Sequence, residues 1–599
     1  MGEPRIEVWA PRADRVEIDA IADGVEVRED LTARADGWWR WDRDPADVGI
    51  LDYGFRLDGG TVLPDPRSAW QPRGVHDRSR WWTGTPLAER DPKWRGPRSG
   101  TGTLGGVIYE LHVGTFTDEG TLDSAIDRLD HLVDLGVDVV ELMPLAAFPG
   151  RRGWGYDGVG FYSVHDAYGG PDALIRFVDA AHARGLGVCL DVVYNHLGPV
   201  GNYLALFGPY FTDHHHTPWG WAVNLDDTDC ETVRRFIGDA TRRWFELFGI
   251  DALRLDAVHE LKDDSPHRVG GIHLLAQLAE ETAALSERLD RSLDLIAESD
   301  LNDPAMITPV AEGGLGMSAQ WADDIHHALH VALTGEIQGY YADFADPTAL
   351  TATLEGAFFH AGTWSSFREQ DWGRPVDRER ISGHRFVAYL QTHDQVGNRA
   401  IGDRISASVT PGQQAIGAAL YLLSAFTPMI FMGEEWAAAT PWQFFTDFRD
   451  ETMGRAVSDG RRAEFAAHGW AQGSVPDPQE AATRDASVLD WSETEQAGHA
   501  EMLAWYRRLI ALRRAESDLA DDDLSAVTVD HDTDTGSILM HRGRFTVAAN
   551  LGTEPIEVTV PDSGAGPDLV ATFGEATVGG EQSHTVRLGG HSVAVLRTA

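Results

Sequence analysis

Four predicted strands of this sequence end in an acidic residue. The four carboxylates are Asp191, Asp256, Glu298 and Asp394. Carboxylates so placed can act as nucleophiles, general acids or ligands of hydroxyl groups. Any one of them could instead cap a helix, form a buried ion pair or lie in a solvated turn. Their repetition at the same end of four strands favours a shared chemical role.

Two of these carboxylates have contrasting neighbours. Arg254 and Asp256 are two residues apart on a predicted strand, so their side chains point to the same side. The guanidinium is expected to hold Asp256 ionised, as a nucleophile must be. Glu298 follows the apolar residues 295–297 and has no cation nearby in sequence, so partial desolvation is expected to favour its protonated form. The contrast predicts glycoside hydrolysis by double displacement, with the two carboxylates about 5–5.5 Å apart.

Aromatic residues crowd the loops that follow the predicted strands. Pyranose rings have apolar faces that stack on aromatic rings, while nearby polar groups bind the hydroxyls. About half of these rings are expected to be core residues instead, and the segment 154–157 is the best predicted sugar platform. The set comprises Trp154, Tyr156, Phe161, Tyr162, Trp219, Trp221, Trp321, Trp364, Trp372, Trp436 and Trp442.

Other chemistries have weaker support in the sequence. Neither a Walker phosphate loop nor a G-x-S-x-G nucleophile elbow is present. Adjacent histidines rarely converge on one ion, so the run 214–216 is expected to be a polar loop. No compact acidic cage suggests calcium. We therefore predict no metal and no cofactor.

The net charge of −44 comes without any cluster of basic residues. Nucleic acid and membrane surfaces are therefore poor candidate partners, and a neutral substrate is easier to accommodate than a polyanion. Two cysteines, Cys189 and Cys230, and an N-terminus without signal-peptide features predict a cytoplasmic enzyme. The uncharged run 415–433 is long enough to cross a bilayer, but its central proline predicts a buried helix followed by a buried strand.

Apolar runs alternate with amphipathic helical segments between residues 106 and 518, which predicts an α/β fold with eight βα units in a (β/α)8 TIM barrel. The eight runs are 107–113, 137–143, 187–193, 250–255, 293–297, 318–322, 386–390 and 429–432. Long intervals after the third and sixth runs predict inserted loops. Alternating strands predict β-sandwich domains at residues 1–90 and 519–599, with a linker at 91–105.

The four strand ends resemble the signature regions of the α-amylase superfamily. The matching segments are 191–196, 253–259, 296–299 and 393–394, in the family's order. The resemblance implies that Asp256 is the nucleophile, Glu298 the proton donor and Asp394 the stabiliser of the transition state. It also implies a substrate-binding set consisting of Tyr156, Asp191, His196, Arg254, His259, Asp323, His326, His393, Gln395 and Asn398.

Within the superfamily, the chain is most similar to hydrolases that cleave the α-1,4 bond next to the terminal trehalose unit of a maltooligosaccharide. That likeness implies a neutral α-glucan substrate and a supply from an enzyme of the maltooligosyltrehalose synthase type. A glycogen branching or debranching enzyme of the same superfamily is the main alternative. A carbohydrate-binding homologue without catalysis is a second one, although such relatives usually lack one of the three carboxylates.

Overall fold

The computed structural model describes residues 5–97, 102–263, 271–467, 475–561, 566–579 and 584–598. Its first strands form two antiparallel sheets, of order β1-β5-β4 and β3-β2-β6-β7. Trp9, Ile18 and Phe55 are fully buried in the core of this region. The strands are β1 (Glu7–Trp9), β2 (Val16–Ala22), β3 (Val25–Asp30), β4 (Thr32–Ala33), β5 (Trp38–Arg40), β6 (Leu51–Leu57) and β7 (Ser79–Arg80).

Eight parallel strands close into a barrel, which confirms the predicted (β/α)8 fold. Each coincides with one of the eight apolar runs. The strands are, in barrel order, β8 (Ile108–Leu111), β9 (Val139–Leu142), β10 (Gly187–Val192), β13 (Ala252–Leu255), β14 (Asp294–Ala297), β15 (Ala319–Trp321), β18 (Phe386–Tyr389) and β19 (Thr427–Phe431). The last strand pairs with the first, Met429 opposite Ile108, and this pairing closes the barrel.

The barrel interior is filled by inward-facing side chains rather than open. A buried apolar cluster inside it includes Ile108, Val139, Ile296, Val387 and Met429, each from a different strand. Side chains that fill the interior from successive strands in this way stabilise closed parallel barrels. Buried polar residues such as Asp191 and Arg254 lie near the carboxyl ends of their strands, where the candidate site lies.

Helices separate the strands and form the outer layer. Thr410 caps one of them reciprocally with Gln413, and Pro411 occupies its first turn. The α-helices are α1 (Leu87–Arg90), α2 (Val113–Phe116), α3 (Leu122–Ile126), α4 (Leu129–Leu135), α5 (Gly170–Ala183), α6 (Leu204–Phe207), α7 (Cys230–Arg243), α8 (Leu274–Leu289), α9 (Asp323–Thr334), α10 (Ala349–Gly356), α11 (His393–Gly397), α12 (Pro411–Leu422), α13 (Glu451–Ala467), α14 (Ala481–Ala486), α15 (Ala497–Ala515) and α16 (Ser517–Ala520).

The apolar run at 415–433 is divided between α12 and β19, as predicted. Both elements are buried almost throughout. Within the described part of the chain, no helix combines the length and the apolar character needed to span a bilayer.

Two hairpins occupy the long intervals after the third and sixth barrel strands, where inserted loops are predicted. They are β11 (Phe211–Thr217) with β12 (Gly220–Val223), and β16 (Thr363–Ser365) with β17 (Gln370–Trp372). The prediction of a loop at residues 214–216 is wrong, because these histidines lie on β11. His216 pairs with Trp221 of β12 beyond an irregularity in the register, and His214 and His215 contact Asp227 and Asp226.

The C-terminal region is again built of two antiparallel sheets, of order β20-β21-β22-β27-β24 and β23-β26-β25. Val547 and Val595, on neighbouring strands of the five-stranded sheet, are fully buried. The strands are β20 (Val527–Asp532), β21 (Ser537–Arg542), β22 (Phe545–Asn550), β23 (Ile556–Thr559), β24 (Asp568–Phe573), β25 (Ala576–Val578), β26 (Thr585–Leu588) and β27 (Ser592–Arg597).

Candidate active site at the carboxyl end of the barrel

The predicted carboxylates meet at one end of the barrel. Asp191 lies near the end of β10, Asp256 and Glu298 directly follow β13 and β14, and Asp394 is the second residue of the short helix after β18. The last three line a cavity of about 690 Å³. Its other lining residues include Trp154, Tyr156, Asp157, His196, Trp219, His259, His393, Phe444, Phe448, Met453 and Val457.

A single cation, Arg254, contacts three of the carboxylates. Its Nη1 lies 2.7 Å from Asp191 Oδ2 and 2.9 Å from Asp256 Oδ1, and its Nη2 lies 3.0 Å from Glu298 Oε2. The guanidinium is fully buried and stacks 4.4 Å from the ring centroid of Trp321. Glu298, which has no cation nearby in sequence, therefore has one in space. Parallel pairing of β13 with β14 sets Arg254 opposite Ile296, so the guanidinium reaches the residue at the end of the next strand.

Further hydrogen bonds fix Asp256 and Glu298. Asn195 Nδ2 donates to Asp256 Oδ2 at 2.9 Å and to the Asp256 carbonyl oxygen at 2.6 Å. The backbone N–H of Ala257 donates to Glu298 Oε2 at 2.7 Å. Ala257 adopts a φ of 37°, a left-handed conformation that is unfavourable for alanine. The strained turn is what aims this N–H at the carboxylate of the neighbouring strand.

His393 is held by a carboxylate that the sequence did not single out. Its backbone N–H donates to Glu110 Oε2 at 3.0 Å, and its Nδ1 contacts Glu110 Oε1. Burial lowers the pKa of His393, but the neighbouring charges of Glu110 and Asp394 outweigh it and raise that pKa to about 9. The imidazolium is therefore charged at neutral pH. Its Nε2 lies 3.6 Å from Asp394 Oδ1.

Glu110 could have been found only from the barrel register. It lies within the first apolar run and is 1% exposed. No spacing along the chain connects it with His393, which is 283 residues away.

Aromatic rings form the walls near the carboxylates. Tyr156 donates from its hydroxyl to Asp191 Oδ2 at 2.6 Å and stacks on His393 with ring centroids 5.0 Å apart. Trp154 stacks on Trp442 and is only 6% exposed, so most of the predicted platform is packed against protein. Trp219 is 51% exposed and stacks on His196 at 4.0 Å, which makes it the more open ring.

The remaining predicted substrate contacts lie at different depths. His259 lines the cavity, with its Nδ1 3.7 Å from an oxygen of Asp300. Asp323 is half-buried and accepts a hydrogen bond from the Tyr389 hydroxyl. Burial raises the pKa of Asp323 to about 7, and the nearby charges of Glu298 and Asp394 add to this rise.

Of the other predicted contacts, Gln395 lies in the helix that begins with His393 and Asn398 directly follows that helix, whereas His326 is buried in the helix after β15. Asn398 Nδ2 donates to Asp394 Oδ1 at 3.3 Å, and Gln395 accepts from the Thr392 hydroxyl. His326 is 1% exposed. Its Nδ1 lies 2.8 Å from the Leu390 carbonyl oxygen and its Nε2 3.0 Å from the Tyr341 hydroxyl. With both nitrogens occupied by protein, the prediction that His326 contacts substrate is corrected to a supporting role.

Within the described residues, no group of three or more histidine, cysteine, aspartate or glutamate side chains is arranged to hold a metal ion. The chemistry that the described groups can supply is acid–base and nucleophilic. A buried carboxylate held by Arg254 and Asn195 faces the same cavity as a second carboxylate held by Arg254 and a backbone N–H.

Comparison with known proteins gives consistent matches. Residues 90–207 match the family described as alpha amylase, catalytic domain, and residues 522–595 match a domain of unknown function, DUF3459. The malto-oligosyltrehalose trehalohydrolase of Mycobacterium tuberculosis is 49% identical over 601 residues, covering 100% of this chain and 99% of the relative. The protein of the same name from Arthrobacter ramosus is 50% identical and covers 99% of both chains.

More distant relatives share the architecture. The crystal structure of a putative alpha amylase from Salmonella typhimurium superposes with a TM-score of 0.86 at 35% identity, covering 99% of this chain and 97% of that one. A pullulanase from Anoxybacillus sp. LM18-11, at 17% identity and a TM-score of 0.69, shares the fold. The 1,4-alpha-glucan branching enzyme of Nitrosomonas europaea is 29% identical over 53% of this chain and 47% of its own.

Proposed function

Because this chain belongs to the malto-oligosyltrehalose trehalohydrolases, a group of α-amylase-type glycoside hydrolases, we propose that it hydrolyses the α-1,4-glucosidic bond next to the terminal trehalose unit of maltooligosyltrehalose. The products are trehalose and a maltooligosaccharide. The observation that carries the mechanism is the shared cation, since Arg254 contacts Asp256 and Glu298 at once.

Asp256 is the proposed nucleophile. Arg254 and Asn195 each hold one of its oxygens, which orients the carboxylate toward the cavity. Attack on the anomeric carbon forms a covalent bond between Asp256 and the glucan, and the bond to the trehalose oxygen breaks. The glycosyl-enzyme keeps the glucan while trehalose leaves.

Glu298 is the proposed general acid and base. Both of its contacts, from Arg254 and the Ala257 N–H, use Oε2, and the described residues give Oε1 no hydrogen bond. Oε1 is thus the oxygen available to protonate the departing trehalose oxygen. In the second step the same carboxylate removes a proton from water, which attacks the anomeric carbon and releases Asp256.

Asp394 and His393 are proposed to bind the sugar whose bond is cleaved. Burial raises the pKa of Asp394, the charge of Glu298 adds to this, and the His393 imidazolium opposes it. In its ionised form Asp394 stabilises positive charge on the sugar ring in the transition state. Tyr156 and His196, which line the same cavity, are placed to contact that sugar from the ring face.

A direct product assay tests the proposed reaction. Purified enzyme is incubated with maltotriosyltrehalose, and free trehalose and maltotriose are expected in equal amounts. The new reducing end is expected to have the α configuration at first, because double displacement retains stereochemistry. Branched glucan formed from amylose, without trehalose release, would instead favour a branching enzyme. Binding of the substrate without any cleavage by the wild-type protein would favour the non-catalytic alternative.

A Glu298→Gln variant is expected to lose about 10²- to 10⁴-fold in kcat on maltooligosyltrehalose, because glutamine cannot donate the proton that the leaving oxygen needs. On an α-glucosyl fluoride, whose fluoride leaves without protonation, the loss in kcat/KM, which reports the first step alone, is expected to be much smaller. Initial rates on the two substrates measure this difference. Equal losses on both would remove Glu298 from the role of acid.

Two further aspects follow from the same proposal. An enzyme of the maltooligosyltrehalose synthase type is the expected source of the substrate, because the trehalose linkage must exist before it can be released. The buried, unpaired thiols Cys189 and Cys230 fit a reducing cytoplasm as the place of action.

A further inference from the structure

One carboxylate inside the barrel has no part in the mechanism above. Glu141 is on β9 and is 1% exposed. Its register partner on β8 is Glu110, and its partner on β10 is Cys189. Three polar side chains therefore lie side by side on adjacent strands, at a level below the catalytic carboxylates.

The neighbouring carboxylates each have a cation or an N–H or O–H donor, whereas the donor beside Glu141 is only the weak thiol of Cys189. Glu110 holds His393, and Asp191 holds Arg254 and the Tyr156 hydroxyl. Neither oxygen of Glu141 has a hydrogen bond of ordinary geometry among the described residues. Its polar neighbour is the thiol of Cys189, which is itself fully buried.

An ionised carboxylate in this position would be unfavourable. It would be removed from water, without a counter-ion of its own, beside two other acidic groups. Burial raises the pKa of Glu141 to about 8, the charges of Glu110 and Asp191 add to the rise, and Arg254 opposes it. Burial also raises the pKa of Asp191, to about 7, but Asp191 accepts hydrogen bonds from Arg254 and the Tyr156 hydroxyl, which Glu141 does not.

We propose that Glu141 is a positioning residue that carries a proton in the working enzyme. As a neutral carboxyl group it leaves the Arg254 guanidinium to Asp191, Asp256 and Glu298, the three carboxylates that it contacts. Loss of the proton would add a negative charge beneath the site and draw Arg254 away from the two catalytic groups.

Charged and titratable groups face Glu141 from three sides. Glu110 on β8 contributes a negative charge that is compensated by His393. Cys189 and Asp191 face it from β10, and Arg254 from β13. Arg254 and His393 already have carboxylate partners. A neutral Glu141 therefore adds no uncompensated negative charge to this part of the interior.

A Glu141→Gln variant tests the proposal, because glutamine reproduces the shape of the neutral acid and cannot ionise. At pH 6 its kcat/KM is expected to lie within about threefold of the wild type. Its melting temperature relative to the wild type is expected to rise as the pH increases from 4.5 to 8. The sign follows from linkage, because the wild-type residue releases its proton near pH 4.5 when unfolded but only near pH 8 when folded.

A spectroscopic measurement examines the proton directly. The infrared difference spectrum between the wild type and Glu141→Gln at pH 6.5 is expected to show the loss of one carbonyl stretch of a neutral carboxylic acid. If glutamine prevents folding, Glu141→Met supplies a second neutral side chain of similar volume for the same measurements.

Glu110→Gln is the matched control on the adjacent strand. It removes the counter-ion of His393, so it is expected to lower the melting temperature, most strongly below pH 6.5, with a loss that shrinks as the pH rises through 9. It is not expected to remove a neutral-acid band. A pH-independent stability difference for Glu141→Gln, an unchanged infrared spectrum, or a loss of activity above 100-fold at pH 6 would each overturn the proposal.

Discussion

Replacement of Asp256 by alanine is expected to reduce kcat on maltooligosyltrehalose by about 10⁴-fold or more, while the fold is kept. In the proposed mechanism Glu298 is needed as proton donor and Asp394 as stabiliser of positive charge at the same moment, so neither replaces the lost nucleophile. The carboxylate also ceases to balance Arg254, but Asp191 and Glu298 remain beside that guanidinium. The variant should therefore fold with a modest change in stability.

Rescue by a small anion distinguishes a nucleophile from a merely structural carboxylate. Azide added to Asp256→Ala is expected to enter the space of the lost side chain and attack an activated α-glucosyl fluoride. The product would be a β-glucosyl azide, formed in a single displacement with inversion. Asp213→Ala, at an exposed position on β11, is the control and should keep wild-type rates. Absence of rescue together with residual retaining activity would contradict the assignment.

Replacement of Arg254 by lysine is expected to cost about 3–5 kcal/mol of unfolding free energy, because it leaves buried carboxylates without full compensation. The guanidinium contacts three carboxylates through two nitrogens, which a single ammonium group cannot reproduce. Because Asp256 and Glu298 both lose a fixed contact, kcat/KM is expected to fall by at least about 10³-fold. Denaturant unfolding and initial rates measure the two effects separately.

A double variant separates charge from shape at this position. Arg254→Met alone leaves the buried carboxylates without a cation. Arg254→Met combined with Asp191→Asn removes one of these uncompensated charges. The double variant is expected to be more stable than Arg254→Met while remaining inactive. If Arg254→Lys keeps wild-type stability and rates, the shared cation is not the element that organises the site.

The barrel could be predicted because its strands are buried on both faces. Such strands are short continuous apolar runs, and turn residues and amphipathic helices separate them. The positions of Asp191, Asp256, Glu298 and Asp394 at the ends of these runs then place them at one rim. Local sequence is sufficient for this conclusion, since each carboxylate needs only the strand that precedes it.

Contacts between strands could not be predicted in the same way. The ion pair of Arg254 with Glu298 and the hydrogen bond of Glu110 with the His393 N–H depend on register between strands that are far apart in sequence. His326 follows a barrel strand closely, as substrate-binding residues often do, but its ring points into a pocket closed by Leu390 and Tyr341. The direction of a side chain in the first turn of a helix decides whether it reaches the cavity. The resemblance of the segment to a family does not give that direction.

The histidine run at 214–216 shows a related limit. Its composition is polar and its charges are local, so nothing in the sequence excludes a loop. The structure instead pairs the segment with β12, and Trp221 is the register partner of His216. The hairpin forms only by pairing with β12, and β12 is too short to show a clear alternation of apolar residues in the sequence.

The pairing of the last barrel strand with the first also determines when the enzyme can become active during its synthesis. A nascent chain that has reached residue 400 already contains every proposed catalytic group, yet β8 still has no partner on one edge. The ring closes only after β19 has left the ribosome, more than 300 residues after β8. Closing so long a loop has an entropic cost and makes folding slow. Truncation before β19 should therefore yield an open sheet edge prone to aggregation, which chaperones would have to shield.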